Sequence, residues 1–440
     1  MEIIGKGSFS TVYLINNNNS DFIFNFEFDD NKYVLKKINM NLLIEKYIVK
    51  FYNYDNSNNS DNYLLSQYQS QNTQFQNTHD SKSRFVEPNI EYPLKYIITP
   101  NFKKSYEIKN TYSEYLYYKS RLQELIQSEV DLLFFLKNTQ KNKNGFCNIV
   151  ELIDYKIKID ELHYDYFLKF EYMNKGDLNN ILYSDEFFDF RNNFHGFNNE
   201  FIILLLKQII NGLDFLHTHG IIHRDIKLQN IFLNYRKERG NDTFHVKIGD
   251  FGFCCLDPKS NNNLFPTHLK SILLKKFKKI SGTPYYMAPE IINNYYSRDI
   301  PIYNNKIDIF SLGICLYELY YKVLPFSNIK TITDLKKIYS SNDFSQNIIL
   351  NLKYSKLHQC LQNILKNTLK INPDERYDIF HLKSEFNLIN DADLNSENEN
   401  FDLNEITNYF GKIFNFNNNL KQSIYNFTNK IKNSSEWIKL

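Results

Sequence analysis

The chain has 440 residues, 42% of them hydrophobic and 16% aromatic, which is enough core for one two-lobed domain or two ordinary ones. Its 52 basic and 50 acidic residues leave a net charge of +2, so no global field selects nucleic acid or an anionic membrane surface. Five cysteines in no framework or zinc-like spacing argue against a disulfide scaffold, and no apolar run is expected to reach the length of a membrane span or to form an N-terminal signal.

The predicted elements begin with Gly5-Lys6-Gly7-Ser8-Phe9-Ser10-Thr11-Val12 between two short β-like runs. Glycines at such a turn let backbone N–H groups come close to phosphate oxygens. Tyr33-Val34-Leu35-Lys36 alternates as a strand, with Lys36 in phase with Val34 and Lys37 on the opposite face. Residues 39–118 include a long run rich in Asn, Ser, Gln and Asp, whose apolar surface is too small to offset chain entropy; they are read as a mostly disordered insertion. Leu122, Leu125, Ile126, Val130, Leu133 and Leu136 then fall at helical spacing and predict a helix over Tyr115 to Lys137, with Glu124 and Glu129 on different faces. Tyr166 to Met173 reads as a strand, and Phe201 to His219 as a long buried helix whose His217 and His219 are structural rather than metal ligands. After that helix comes His223-Arg224-Asp225-Ile226-Lys227-Leu228-Gln229-Asn230, then Asp250-Phe251-Gly252 and a long basic stretch ending in Gly282-Thr283-Pro284-Tyr285-Tyr286-Met287-Ala288-Pro289-Glu290. Beyond Ile389 an acidic, Asn-rich linker leads to Phe401 to Leu440, where Ile406, Tyr409, Phe410, Ile413 and Phe414 predict an amphipathic helical tail.

The His-Arg-Asp run with its Lys and Asn, followed by Asp-Phe-Gly in that order and spacing, resembles the catalytic loop and metal motif of eukaryotic protein kinases. Lys227, two residues after Asp225, resembles the serine/threonine branch. The resemblance implies an α+β, bilobal protein kinase-like fold: a small antiparallel N-lobe sheet with helix C, a larger helical C-lobe, and MgATP in the cleft. It implies a catalytic domain over residues 1–388, interrupted by the insertion 39–118, with 389–440 as linker and tail.

Roles follow the same resemblance. Asp225 takes or orients the acceptor hydroxyl, Lys227 holds charge on the transferring phosphate, and Asn230 and Asp250 are the metal ligands. Gly5, Lys6 and Gly7 form the phosphate loop, while Val12, Val34 and Phe232 line the adenine ring. The backbones of Glu171 and Met173 would hydrogen-bond adenine. Lys36 bridges the phosphates and pairs with Glu129, with Glu124 the alternative partner. Thr283 is expected to bond Asp225 and Lys227, Glu290 to pair with Arg376, and Asp308 to hold the catalytic-loop backbone. Lys279 stands where related kinases carry a phosphorylatable residue and is expected to repel Arg224; Ser281, Ser271 and Thr267 remain as phosphate acceptors. Ser10 replaces the third loop glycine, and Gln229 stands where basophilic kinases carry glutamate.

The expected activity is transfer of the γ-phosphate of ATP to protein Ser or Thr hydroxyls, with Mg²⁺ as the ion and Mn²⁺ as its alternative. Protein substrates, no specific nucleic acid binding, no transmembrane segment and a regulatory partner at the insertion or the C-terminal helix complete the expectation. The setting is cytoplasmic, with the nucleus left open. The competing reading is a nucleotide-binding pseudokinase or scaffold acting through the insertion and tail. Asparagine runs such as Asn16 to Asn19 resemble the composition of proteins from AT-rich, Dictyostelium-like protist genomes and are read as loop filler.

Overall fold

The computed structural model describes residues 2–6, 10–15, 32–40, 108–141, 148–159, 164–184, 187, 197–238, 241–260, 264–295, 297, 302–326, 329, 331–341, 343–353 and 355–387. Most of the insertion and the whole C-terminal tail, with the helix expected there, lie outside the described residues. The chain divides into two compact units, Met1–Val130 with Leu152–Phe170, and Asp131–Glu151 with Glu171–Leu440.

The first unit is organised by strands β1 (Glu2–Lys6), β2 (Ser10–Ile15), β3 (Tyr33–Asn39), β4 (Leu152–Ile159) and β5 (Tyr164–Glu171), in the order β1-β2-β3-β5-β4. β1 pairs antiparallel with β2, β2 with β3, and β4 with β5. Ile15, Tyr33, Leu35 and Phe167 bury together on one side of this sheet, and Tyr13 and Ile153 pack against them. The period of two that buries Tyr33 and Leu35 leaves Val34 and Lys36 half-buried on the other face. Helix α1 (Ile108–Lys141) buries Leu122, Ile126, Val130, Leu133 and Leu136 as the spacing predicts. It starts at Ile108 rather than Tyr115 and ends at Lys141 rather than Lys137. The extra first turns are mostly polar and carry no apolar stripe, so periodicity alone did not register them.

The second unit is mainly helical. Its helices are α2 (Leu178–Tyr183), α3 (Asn199–Thr218), α4 (Thr267–Phe277), α5 (Pro289–Asn293), α6 (Lys306–Tyr321), α7 (Ile332–Ser340), α8 (Asp343–Lys353), α9 (Gln359–Thr368) and α10 (Ile379–Asn387). Two small antiparallel ladders accompany them, β6 (Ile221–Ile222) with β9 (Cys255–Leu256), and β7 (Ile231–Glu238) with β8 (Asn241–Ile248). α3 is capped by Asn198, whose side chain accepts from Phe201 N at 2.9 Å. At 20 residues it is long and apolar enough to cross a membrane, which corrects the expectation that no stretch approaches that length. Ten of its residues, from Phe201 to Leu216, are nevertheless buried, as in the core helix of a folded domain.

α6 is buried along its whole length from Ile307 to Leu319, so it has no solvent-facing stripe. A Cβ on its Gly313 would collide with the Thr368 hydroxyl of α9, and this glycine is what lets the two helices approach so closely. This small, strand-bearing unit and larger helical unit give the bilobal α+β architecture expected from the motifs.

Candidate active site

In the first unit, β1 carries Gly5 and Lys6, and Gly5 stands opposite Val12 of β2 after a register shift. Gly7 lies outside the described residues. Lys36 Nζ lies 4.0 Å from the Glu129 carboxylate, at the outer limit of an ion pair. Glu129 is buried on α1 while Glu124 is exposed on another face, so the geometry separates the two alternatives left by the sequence. Lys37 points the other way, its ammonium 2.8 Å from Asp165 and over the Phe167 ring.

In the second unit, Asp225 is 2% exposed and sits at the centre of a dense polar network. The Thr283 hydroxyl donates to Asp225 Oδ1 at 2.6 Å, and Lys227 Nζ approaches Asp225 Oδ2 at 2.7 Å. Lys227 Nζ also donates to Thr283 Oγ1 at 2.8 Å. Asn230 Nδ2 donates to the Asp225 carbonyl at 2.8 Å and to Oδ2 at 2.9 Å, which commits both amide hydrogens and leaves the side-chain oxygen of Asn230 as its remaining polar atom. Asp250 is exposed and holds a left-handed backbone, φ 62°.

What fixes this network is the buried Asp308 at the start of α6. Its Oδ1 accepts from Arg224 N at 2.8 Å, and its Oδ2 accepts from His223 N at 2.9 Å and lies 2.9 Å from His217 Nε2. Burial alone would raise the Asp308 carboxyl, but the bond to and charge of His217, with His223, hold it below its ordinary range. His223 is fully buried with its ring edge toward Phe251, 5.3 Å between centroids. Desolvation lowers its pKa despite the carboxylates of Asp308, Asp225 and Asp250, and both ring nitrogens are engaged, one by Asp225 N at 3.3 Å and the other by the Gly249 carbonyl at 3.2 Å.

The residues expected around adenine are placed as follows. The Glu171 carboxylate accepts from Glu151 N at 2.6 Å and from Lys247 Nζ at 2.7 Å, so its side chain is tied away from its own backbone. Met173 is buried, and its carbonyl accepts from Gly176 N at 3.0 Å. Phe232 on β7 is half-buried beside Gly249, where any Cβ would meet its ring at 2.8 Å. Asp177, which follows the turn glycine Gly176, caps α2 by accepting from Asn180 N at 2.8 Å.

Sequence reasoning missed several residues that frame the network. Glu318 of α6 accepts from the Tyr183 hydroxyl at 2.9 Å and the Tyr286 hydroxyl at 2.5 Å, and burial pushes its carboxyl up to about 7 despite both donors. The signal was present: an acidic residue inside the apolar run Gly313 to Leu319 needs buried partners. Lys247 was missed because alternation in β8 gives no hint of which carboxylate it meets. Glu290 and Arg376, by contrast, were expected to pair and do so at 2.8 and 3.0 Å, and Arg376 also donates to the carbonyls of Lys306 and Lys370. Cys254 and Cys255 are buried and their thiols raised by burial, which fits packing rather than ligation.

Residues 114–386 match the protein kinase domain family, so β1 to β3 stand upstream of the matched span. The serine/threonine-protein kinase ATG1 of Debaryomyces hansenii is 28% identical over 305 residues, covering 63% of this chain and 30% of that protein. The human serine/threonine-protein kinase ULK1 is 31% identical over 225 residues, 51% of this chain and 17% of that protein. The probable serine/threonine-protein kinase nek3 of Dictyostelium discoideum is 28% identical over 270 residues, 57% of this chain and 20% of that protein. The chain thus spans less than a third of the length of each of these relatives. A match over more than half of the chain, on a bilobal α+β fold, places it in the protein kinase domain family, and its similar proteins are serine/threonine kinases.

Proposed function

We propose that the chain is a serine/threonine protein kinase that transfers the γ-phosphate of ATP to Ser and Thr hydroxyls of protein substrates. The observation that carries this reading is the Asp225–Lys227–Thr283–Asn230 network. An ionised carboxylate offers about four acceptor positions. Three are occupied in Asp225, which leaves one for an incoming alcohol. Lys227, held by both Asp225 and Thr283, supplies positive charge beside that position without occupying it.

The donor set suits Mg²⁺. Among the described residues no cluster of three or more His, Cys, Asp or Glu could hold a metal by itself. Mg²⁺ takes one or two protein oxygens and fills the rest of its shell with water and phosphate. Asn230, whose amide hydrogens are both spent on Asp225, and the exposed Asp250 would hold it. When bound, the ion would neutralise charge on the phosphates. Lys36, steadied by Glu129, would hold the α- and β-phosphates, and Val12, Val34, Phe232 and the backbones of Glu171 and Met173 would receive adenine. Thr283 would hold Asp225 and Lys227 in the arrangement suited to alcohol acceptors on Ser and Thr.

The test is a magnesium-dependent phosphotransfer assay on the full chain and on Asp225→Ala. The expected result is a loss of about 10²–10⁴-fold in the variant, the usual contribution of a positioned general base. Equal background incorporation in both would favour a nucleotide-binding scaffold. A regulatory partner, if it binds the insertion or the tail, meets segments outside the described residues.

A further inference from the structure

Helix α4 has no counterpart in the sequence reading, yet its C-terminal end closes on the residue that precedes Asp225. Arg224 is 7% exposed, with its backbone in the left-handed region at φ 69°. Its Nε donates to the Phe253 carbonyl at 2.7 Å. Its Nη1 donates to the carbonyls of Lys276 at 2.8 Å and Lys279 at 2.6 Å, and reaches the Tyr303 hydroxyl at 3.3 Å. Tyr303 in turn donates its hydroxyl to the Phe277 carbonyl at 2.7 Å and stacks on the Phe277 ring at 4.3 Å.

The carbonyls of Lys276, Phe277 and Lys279 belong to the last turn of α4 and the residues just beyond it. There a helix leaves acceptors without intrahelical donors and carries the negative end of its dipole. Lys276 turns its ammonium to the Gly252 carbonyl at 3.1 Å. At Lys279, the position expected to repel Arg224, the backbone carbonyl makes an attractive contact with the guanidinium. On its other side, Arg224 has its N–H on Asp308 and its carbonyl beneath Gly282, where any Cβ would collide with it.

We propose that the C-terminal turn of α4, braced by Tyr303, performs for Arg224 the neutralising role that an added phosphate group could otherwise fill. The catalytic loop and Thr283 are then set in the unmodified chain, and phosphorylation of Thr267, Ser271 or Ser281 is not required. Tyr303 is a positioning residue, acting through Arg224 and Phe277. The proposal rests on the kinase reading for its effect on rate, but the helix-to-Arg224 contact is testable without it.

The experiment uses the full chain, treated with a protein phosphatase until mass spectrometry finds no phosphate. It is assayed with MgATP and a peptide library bearing Ser and Thr acceptors, alongside amide hydrogen exchange. The treated chain and a Thr267→Ala/Ser271→Ala/Ser281→Ala variant are expected to work within about twofold of the untreated chain, with slow exchange over residues 273–279. Tyr303→Phe removes one donor and is expected to lower kcat about fivefold, the size of one hydrogen bond, with KM for ATP unchanged and faster exchange over residues 276–280. A tenfold or larger loss on phosphatase treatment, restored by rephosphorylation, overturns the proposal. So does exchange of residues 273–279 at open-chain rates in the unphosphorylated protein, whether or not it transfers phosphate. Slow exchange without transfer in any form supports the helix-to-Arg224 contact and rejects the kinase reading instead.

Discussion

The Thr283 hydroxyl is at once a donor to Asp225 and an acceptor from Lys227, at 2.6 and 2.8 Å. A side chain of the same shape without the oxygen keeps the packing and removes both bonds. Hydrogen bonds to charged groups contribute about 1.5–3 kcal/mol, and each 1.36 kcal/mol is a decade in rate. Thr283→Val should therefore lower kcat by roughly 10–100-fold and leave KM for ATP nearly unchanged, while Thr283→Ser should keep most of the activity. Steady-state kinetics with varied ATP checks both. The neighbouring Gly282 has φ 125° and lies against the Arg224 carbonyl, so this loop reaches Asp225 only because position 282 carries no side chain.

Among the elements, α6 shows how a helix that is apolar on every face can still organise polar chemistry. It buries Asp308 beneath the catalytic loop and Glu318 beneath Tyr183 and Tyr286. Glu318 titrates near 7 in the folded chain, against an ordinary value of 4.5, chiefly through desolvation. Because the folded form binds the proton more tightly, the associated stability is complete below about pH 4.5 and is lost as pH rises through about 7. The amount is about 3 kcal/mol at 1.36 kcal/mol per unit. Glu318→Gln should flatten this part of the stability profile, as measured by urea unfolding between pH 5 and 8. A slope left unchanged by the substitution would show that another group titrates there.

At the scale of the whole molecule, Arg376 joins distant parts of the second unit. It meets Glu290 of α5, the carbonyl of Lys306 at the start of α6, and the Lys370 carbonyl after α9. Arg376→Met strands the Glu290 carboxylate, and breaking one side of such a pair costs about 3–5 kcal/mol. Denaturant unfolding should show that loss, and Glu290→Gln combined with Arg376→Met should cost less than the two single changes summed. Much of this scaffold was legible in the sequence, because the motifs carrying Asp225, Asn230, Asp250, Thr283 and Glu290 are runs of distinctive side chains. The two-residue period also separated Lys36 from Lys37. What stayed hidden was made by the backbone or lay far apart in sequence. The carbonyls that receive Arg224 have no letter of their own. α4 carries Lys270, Lys275 and Lys276 among its apolar positions and reads as a basic loop, and Glu318 finds Tyr183 from 135 residues away.

The sealed position of α6 has a consequence for biosynthesis. Ribosomes deliver the chain from its N-terminus at about 5–20 residues per second, so this rod with no wet face emerges well before α9, the helix that closes over Gly313. For roughly 2–9 seconds at those rates, until α9 is out, the nascent protein holds this helix without the face that α9 covers. Synthesis, rather than the finished fold, is the stage at which this chain most exposes that apolar surface.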